Sequence, residues 1–456
     1  MSNSNIDQVN KKVELLAPAG NLEKLKFAIH YGADAVYCGG HNYGLREGAD
    51  NFTLLELEEA VDFVHDHQAK IYITVNMIPH NEDLIGIEEY LRQLVEIGVD
   101  ALIISDPGII QILHDEGIDI PIHLSTQANA LNWASINFWK KQGVERVILA
   151  RELSNSEIVD IKEKTDIELE MFVHGAMCIS YSGRCLLSNY MVGRDANKGK
   201  CAHSCRWKYH LIEEKRPGEY YPIHEDENGT YIMNSKDLCL IEYIPDIIKS
   251  GVSSLKIEGR MKSLHYVATV TSVYRKALDT YYAAPDDYHF NPQWLSELKK
   301  VSHRDYTTGF FLSKPGPKEH NYGSSVYHRD YDFMGVIRDF IGIRDNQETL
   351  DISDDKHDIE RIENNPDSEE IVNNYAAIKG QVGEAVVEVR HKFFKGDNLE
   401  IIGPEIEPFN IDLKYIINEN GDEVETAPHP KELIRIPVNK KVSPYCIVRR
   451  EKKEND

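Results

Sequence analysis

Short apolar runs alternate with amphipathic stretches over the first two thirds of this 456-residue chain. In the stretches 22–30, 54–67 and 84–97, apolar side chains recur at steps of three and four, which is the period of a helix. The alternation predicts βαβ units around a parallel sheet, and runs without polar alternation are typical of strands covered on both faces. The apolar runs are residues 13–16, 35–38, 71–75, 101–104, 122–124, 146–149, 169–173 and 255–257.

Eight such runs favour an α/β fold of the TIM-barrel type, in which each parallel strand is followed by an outer helix. An open doubly wound sheet is the alternative. The glycine fingerprint that binds a dinucleotide in such sheets is missing after the first run, where Pro18 interrupts. An amphipathic stretch at residues 263–282 follows the eighth run, and we expect it to close the barrel.

The organisation of the chain is predicted from where this pattern is interrupted. A disordered N-terminus covers residues 1–12, and a TIM-barrel domain covers residues 13–330. Between strands seven and eight the barrel carries a cysteine-rich insertion, residues 174–253. From residue 331 to 456, alternating runs and an Asn420-Gly421 hairpin turn predict a C-terminal all-β domain, a small barrel. Within this domain, residues 351–370 are predicted to form an acidic loop that is solvated or disordered.

Charge and cysteine content limit the classes of function. The formal net charge of -24 argues against nucleic-acid binding over the whole surface, although it leaves room for a local basic patch. No run approaches the length of a membrane span, and the polar N-terminus lacks a secretory signal, so we expect a cytoplasmic protein without a membrane partner. Seven cysteines in such a protein predict metal or redox chemistry rather than disulfides.

Four of the cysteines lie close together in the insertion, just after the seventh predicted strand, where active sites of TIM barrels lie. Thiolates are soft ligands that suit zinc or an iron–sulfur cluster, and the spacing alone leaves the choice between these metals open. Cys38 and Cys239 are alternative ligands, although simple packing is preferred for both. The four predicted metal ligands are Cys178, Cys185, Cys201 and Cys205.

The motifs around these cysteines resemble those of the collagenase-like peptidase family, whose catalytic type is unassigned. The signature runs through residues 170–178 and 183–188. Further matching motifs are residues 16–21, 32–37, 106–108, 123–129, 234–238, 256–263 and 306–310, and the β domain from residue 380. The resemblance covers nearly the whole chain. Within the family, residues 129–133 and the C-terminal domain look most like the branch that forms 5-hydroxyuridine at the wobble position of tRNA.

The resemblance implies a tRNA modification enzyme with a 4Fe-4S cluster on the four cysteines and prephenate as the hydroxyl donor. Its partners would be tRNA, this small-molecule donor and a related protein that shares the work. Three other functions remain open: peptide cleavage, as the family name implies; hydroxylation of ribosomal RNA, as in a sister branch; and a metal-stabilised RNA-binding scaffold. The sequence contains neither a His-Glu-x-x-His helix nor a Gly-x-Ser-x-Gly elbow, which weakens the peptidase reading.

Polar residues at the predicted carboxyl ends of the strands are the remaining candidates. A dicarboxylate such as prephenate calls for arginines, which bind carboxylates with two parallel hydrogen bonds. Amides at the same ends would read a base edge or bind the donor. Predicted for catalysis are Arg260, Glu258 and His174, and predicted for substrate binding are Arg46, Arg151, Asn76, Gln127 and Asn129.

Overall fold

The structure, a computed structural model, describes residues 12–41, 43–45, 50–178, 180–181, 185–207, 225–226, 229–230, 236–313, 327–342 and 381–452. The chain divides into two compact units at the junction of Arg329 and Asp330. Three predictions fall outside the described residues: the disordered N-terminus apart from Lys12, the candidate Arg46 and the acidic loop 351–370.

The first unit is built on a closed barrel of eight parallel strands, which confirms the predicted fold class. Neighbouring strands pair in sequence order, and the last strand pairs with both the seventh and the first, which closes the ring. Because every strand is covered on both faces, the strands consist mainly of buried apolar residues. The barrel strands are β1 (Glu14–Pro18), β2 (Ala35–Cys38), β3 (Lys70–Val75), β4 (Ala101–Ile104), β5 (Ile122–Leu124), β6 (Val144–Ile148), β7 (Glu168–Ala176) and, after the insertion, β9 (Ser254–Ile257).

Most of the described helices begin after a residue whose side chain caps the first turn. Thr53 and Glu56 form a reciprocal capping box at the start of the second helix. The third begins at Ile87, after Gly86 at φ 83°, and so three residues later than the pattern predicts. Among the described helices, none has the length and apolarity needed to cross a bilayer. The helices are α1 (Leu22–His30), α2 (Leu54–Asp66), α3 (Ile87–Ile97), α4 (Pro107–Asp115), α5 (Trp133–Lys141), α6 (Asn155–Glu163), α7 (Leu187–Val192), α8 (Ile244–Lys249), α9 (Leu264–Ala283) and α10 (Pro292–Lys299).

One rim of the barrel is extended next to the insertion. Strand β7 continues to Ala176, three residues beyond the predicted end, and its last residues pair with the antiparallel strand β8 (Asp237–Cys239). A short strand, β10 (Tyr306–Thr307), then pairs with β8. The insertion therefore leaves the barrel at Ala176 and rejoins the same sheet at Asp237, which is the Cα partner of Ala176.

The interior of the barrel contains a chain of ion pairs where apolar layers are usual. The Arg146 guanidinium donates to Glu14 at 2.6 Å and lies 3.3 Å from a Glu170 oxygen. Lys256 Nζ donates to the other Glu170 oxygen at 2.9 Å, and the Tyr72 hydroxyl donates to Glu14 at 2.7 Å. These charges link β1, β3, β6, β7 and β9, and each charge is paired, which is the condition for burying it.

The second unit is an antiparallel eight-stranded sheet that forms a half-barrel around its own apolar core. Inward and outward residues alternate along its strands, as the sequence pattern predicts. The turn at Asn420-Gly421 joins two paired strands. The strands are β11 (Tyr331–Gly342), β12 (Gly383–Val389), β14 (Asn398–Ile402), β15 (Phe409–Asp412), β16 (Ile416–Ile417), β17 (Glu423–Val424), β19 (Leu433–Val438) and β20 (Ile447–Glu451), with a separate pair, β13 (Phe393–Phe394) and β18 (Thr426–Ala427).

Candidate active site

A cavity of about 160 Å³ lies at the carboxyl ends of the barrel strands. Residues at or near the ends of β2, β3, β4, β5, β6, β7 and β9 form its wall, and the insertion covers it with cysteine-bearing loops. This is the face at which TIM-barrel enzymes carry their active sites. The polar and thiol side chains that line it include Thr74, Asn76, Ser125, Gln127, Arg151, Cys178, Cys185, Asn197, Cys201, Cys205, Lys256, Glu258 and Arg260.

All four predicted metal ligands line this one cavity. Cys185, Cys201 and Cys205 are partly buried, and Cys178 is exposed. The backbone N–H of His203 donates to the Cys201 sulfur at 3.4 Å, a contact of the kind that tunes sulfur ligands. Hydrogen bonds within the insertion connect its segments to one another. For example, the Ala202 N–H donates to Ser188 Oγ at 2.9 Å.

The donor set of the cavity consists of four thiols, which are soft metal ligands. Among the described residues, no three Cys, His, Asp or Glu side chains are grouped closely enough to hold one metal ion. A multi-iron core is larger than one ion, so thiols that ligate it need not converge on one point, and a set of four thiolates is the usual set for a 4Fe-4S cluster. Four thiols around one cavity thus fit an iron–sulfur cluster, which would be held by Cys178, Cys185, Cys201 and Cys205.

Cys38 and Cys239 do not line the cavity in the described structure. Cys38 is fully buried on β2, and Cys239 is buried on β8. Burial raises the pKa of each thiol to about 12, which keeps both protonated at neutral pH. A protonated thiol is a poor ligand, so packing is the role that the structure supports for these two residues.

The two described arginine candidates line the cavity, and both are held by neighbouring groups. Arg260 is buried, and its guanidinium donates to the Leu45 carbonyl at 2.9 Å and to Thr74 Oγ1 at 3.0 Å. Arg151 donates to the Ala176 carbonyl at 2.8 Å and lies 3.4 Å from Glu258. These bonds fix the orientation of both guanidinium groups before any ligand enters.

Glu258 and Arg260 follow strand β9 rather than lying on it, since the strand ends at Ile257. The carbonyl of Glu258 accepts a hydrogen bond from the Tyr266 hydroxyl at 2.9 Å, which ties this loop to α9. The Glu258 carboxylate is therefore placed beside Arg151 as the one described carboxylate in the cavity wall.

The amide candidates fall into three positions. Asn76 lines the cavity, but its side chain accepts from the Leu45 N–H and donates to Ser125 Oγ, so it connects two loops. Gln127 lines the cavity; its backbone N–H donates to Ser125 Oγ at 3.3 Å, whereas its side-chain amide makes no hydrogen bond to another described residue. Asn129 stands apart from the described cavity wall in a left-handed conformation at φ 58°. Gln127 is thus the amide best placed to meet a ligand.

His174, which is predicted for catalysis, lies away from the described cavity wall. The side chain is fully buried, with the rings of Tyr266, Tyr274 and Tyr306 around it at centroid distances of 5.4 to 5.9 Å. Burial lowers the pKa of His174 from 6.5 to about 3, with a smaller opposing effect of Asp237. The imidazole is therefore neutral at physiological pH and acts as a packing group.

We expect His174 to make the protein acid-sensitive. Because its pKa is lower in the folded state than in the unfolded state, its contribution to stability is full above pH 6.5 and is lost as the pH falls towards 3. In urea unfolding, the wild type should lose up to about 1.4 kcal/mol per pH unit more than His174→Gln across this window. His289→Gln, at an exposed position, is the control and should keep the wild-type slope. Parallel curves for wild type and His174→Gln would contradict this prediction.

Gly39 provides space for the guanidinium of Arg260. A Cβ atom built at this glycine would overlap Arg260 Nη2 and lie 2.9 Å from Thr74 Oγ1. We expect Gly39→Ala to lower the free energy of unfolding by about 1–3 kcal/mol, because the buried arginine must shift. The control is Gly342→Ala, whose Cβ would meet Phe340 at an ordinary 3.5 Å. Thermal unfolding measures both variants, and equal melting temperatures would contradict the prediction.

Lys256 lines the cavity, but it is not among the residues predicted from the strand ends. It lies within β9, where a charged residue interrupts an apolar run, and that interruption is the signal that could have identified it. Its side chain is 3% exposed and lies 4.2 Å from the ring centroid of Tyr37. Burial lowers the pKa of Lys256, whereas the adjacent Glu170 raises it.

The fold and the cavity together define a TIM-barrel protein with a thiol-lined site at the carboxyl ends of its strands. Residues 20–321 match the pattern described as Peptidase family U32, and residues 371–449 match the family's C-terminal domain. The chain belongs to this peptidase family, U32, and the resemblance seen in its motifs is confirmed.

Relatives of known name agree over most of the chain. The tRNA hydroxylation protein P1 of Bacillus subtilis is 43% identical over 444 residues, which cover 97% of this chain and 96% of that protein. The tRNA hydroxylation protein P of Escherichia coli is 38% identical over 469 residues, covering 94% of each. The Escherichia coli 23S rRNA 5-hydroxycytidine synthase is 35% identical over 317 residues, covering 67% of this chain and 46% of that protein.

Proposed function

We propose that this protein hydroxylates RNA, and that its substrate is the wobble uridine of tRNA, which it converts to 5-hydroxyuridine. The proposal includes a 4Fe-4S cluster on Cys178, Cys185, Cys201 and Cys205 and a dicarboxylate, prephenate, as hydroxyl donor. The names of the relatives that match nearly the whole chain support the substrate class. The observation that carries the chemistry is that four thiols and three cationic side chains line the same cavity.

The chain's own residues would bind and orient the reactants. When bound, the cluster would supply the redox step of the hydroxylation. The guanidinium of Arg151 and the ammonium of Lys256 would attract an acidic donor, with Arg260 fixed behind them by its hydrogen bonds to the barrel rim. The Gln127 amide would hydrogen-bond the donor or a base edge.

The charge of the cavity wall favours an anionic donor. Lys256, Arg151 and Arg260 contribute three positive charges, and Glu258 contributes one negative charge, before the thiols are counted. Lys256 is paired with Glu170 and Arg151 with Glu258, so the wall offers a small anion cationic N–H donors in a partly enclosed site rather than a large net charge. A dicarboxylate would therefore neutralise the groups that the fold has placed at this rim.

Mass spectrometry of RNA nucleosides tests the function directly. A strain lacking the gene should lose 5-hydroxyuridine and its derivatives from tRNA, and the wild-type gene should restore them. A gene for the Cys178→Ser variant should restore no 5-hydroxyuridine, because catalysis needs the cluster. A protein that acts only as a scaffold would not use the cluster for chemistry. Unchanged tRNA together with loss of 5-hydroxycytidine from ribosomal RNA would move the substrate to that RNA. Full restoration by Cys178→Ser would overturn catalysis at this site.

Peptide cleavage is the alternative function, and an assay of purified proteins tests it. Purified wild type and a variant with all four cavity cysteines replaced by serine should both fail to cleave collagen-derived peptides. Cleavage retained by the cysteine-free protein would favour the peptidase alternative, because it would be independent of the cavity thiols.

A further inference from the structure

The insertion that covers the cavity is a basic part of an acidic chain. Residues 178–207 contain five arginine and lysine residues and one acidic residue, Asp195, whereas the whole chain has a formal net charge of -24. Two of these cations, Arg194 and Lys200, are exposed. Phosphate groups are attracted by local positive charge and repelled by an acidic surface, so an RNA strand that approaches this chain is favoured at the insertion.

Helix α7 of the insertion exposes apolar side chains and buries a polar one. Ser188 is 2% exposed and accepts the hydrogen bond from the Ala202 N–H, whereas Tyr190 is 87% exposed and Met191 is exposed beside it. A helix that only covered the cavity would turn its apolar side chains inward. The outward side of α7 therefore presents a large aromatic ring to the solvent, and a ring in that position is available to a partner.

Exposed aromatic rings are concentrated on the cavity side of the barrel. In the described part of the first unit, four of the five exposed aromatic side chains lie there. Tyr181, Tyr190 and Trp207 belong to the insertion, and Trp133 begins α5 just after the loop at the carboxyl end of β5. The fifth, Phe138, lies further along α5. Exposed rings beside cations are the platform on which proteins stack the bases of a single strand.

The insertion is held on the rim of the barrel. Lys198 pairs with Asp83 at 2.6 Å, and the Ile78 N–H donates to the Asn197 carbonyl at 3.2 Å, which joins the insertion to the loop between β3 and α3. Helix α7 packs against the turn at Ser204–Arg206. The rings and cations are thus carried by a folded segment, so less conformational entropy is lost when a ligand binds to them.

We propose that the exposed face of the insertion, formed by Tyr190, Arg194, Lys200 and Trp207, is a docking surface for a single-stranded RNA loop. Bases of the loop stack on the two rings, and its phosphates contact the two cations. One base enters the cavity past Tyr181, which lines it. This surface rests on the proposed function for the identity of the RNA. The docking itself is a binding property that is measured without an assay of hydroxylation.

Fluorescence anisotropy of the full-length, anaerobically purified protein tests the surface with a labelled RNA hairpin and with a blunt duplex of the same stem. The wild type should bind the hairpin more tightly than the duplex, because only the hairpin has unpaired bases. Tyr190→Ala should weaken hairpin binding about tenfold, since one base loses its stacking partner, whereas Tyr190→Phe should bind as the wild type does. Phe138→Ala, which removes the exposed ring on α5, is the matched control and should also keep wild-type affinity.

The salt dependence of hairpin binding tests the phosphate contacts. Arg194→Gln should reduce the slope of log affinity against log salt by about 0.7, the value for one phosphate contact to a single strand. Lys141→Gln, at an exposed position of α5, should keep the wild-type slope. Wild-type affinity in Tyr190→Ala, or a wild-type slope in Arg194→Gln, would overturn the proposal.

Photocrosslinking of the wild type decides if a variant fails to fold by circular dichroism. The probe is the same hairpin with a photoreactive thiouridine in its loop, and crosslinked peptides should contain Tyr190 or Trp207. Crosslinks confined to the second unit would place RNA binding elsewhere and overturn the proposal. A wild-type dimer in sedimentation that Tyr190→Ala dissociates would also overturn it, because the face would then be covered by a second copy of the chain.

Two results separate this inference from the proposed function. Hairpin binding that depends on Tyr190, in a protein whose loss leaves RNA hydroxylation unchanged, would retain the docking surface and remove the proposed function. Hydroxylation that is lost with Cys178→Ser, together with wild-type hairpin binding by Tyr190→Ala, would retain the function and remove the docking surface.

Discussion

Replacing Cys201 by serine should abolish iron binding by the full-length protein. Cys201 lines the cavity with the other three thiols, and its sulfur already accepts a backbone hydrogen bond from His203 at 3.4 Å. A serine hydroxyl is a much weaker ligand for iron than a thiolate, so a cluster held by four cysteines would lose one corner. Anaerobic purification, an iron count and the visible absorption spectrum measure the effect. The wild type should carry about four irons per chain, and the variant should carry almost none.

Two buried cysteines serve as matched controls. Cys446→Ser changes a thiol in the second unit, and Cys239→Ser changes a thiol on β8 whose pKa is raised by burial. Both variants should keep the iron and the spectrum of the wild type. Iron lost from Cys239→Ser but retained by Cys201→Ser would assign the ligand role to Cys239 and contradict the set of four cysteines.

The second large effect is expected at the buried pair of Asp237 and Arg304. The guanidinium donates to Asp237 Oδ1 from Nε at 3.0 Å and from Nη2 at 2.7 Å, and both side chains are at most 2% exposed. Asp237→Asn removes the negative charge that faces two N–H groups of the buried guanidinium, so the free energy of unfolding should fall by about 3–5 kcal/mol. Urea unfolding measures this loss. Glu59→Gln, which breaks an exposed pair with Lys26, is the control and should cost less than about 1 kcal/mol.

The pH dependence of the same pair has a defined sign. Burial tends to raise the pKa of Asp237, but the charges of Arg304 and Lys262 more than offset it, and the pKa is lowered. The stability from the ionised carboxylate is therefore full above the unfolded pKa of about 3.9 and is lost as the pH falls through the folded value. The difference between wild type and Asp237→Asn should shrink below pH 4. A constant difference down to pH 2 would contradict this assignment.

The barrel could be predicted because its strands are buried on both faces. Residues 35–38, 101–104 and 122–124 have the same bounds in the pattern and in the structure, since apolar runs end where the chain emerges from the barrel wall. The rim strand β8 was not predicted. It is three residues long, and what fixes it is pairing with β7 rather than any periodicity of its own. Tertiary pairing of this kind has no local signature.

The sequence predicts the cysteines and the rim residues of the candidate site, but it does not predict the charged residues inside the barrel. Residues at the strand ends can be predicted because parallel strands bring their carboxyl ends to one rim. Asn76, Gln127, Arg151 and Glu258 all line the cavity there. Lys256 and its partners lie within strands, where a charged residue can point into the barrel or outward. The sequence alone does not say which. His174 lies two residues after Phe172, which lines the cavity, so simple alternation would put both on one face. The register of β7 against β9 shifts between them, and His174 lies among three tyrosines instead.

The return of the insertion to the strand that it leaves has a consequence for how this family can diversify. Ala176 and Asp237 are cross-strand partners, so the sheet holds the two ends of the intervening segment together. Doubling the length of such a loop adds only about 0.6 kcal/mol of closure entropy. Natural variation can therefore lengthen, shorten or rebuild the cover of the cavity while the eight-stranded frame stays intact. Changes of substrate are open to this architecture without a change of scaffold.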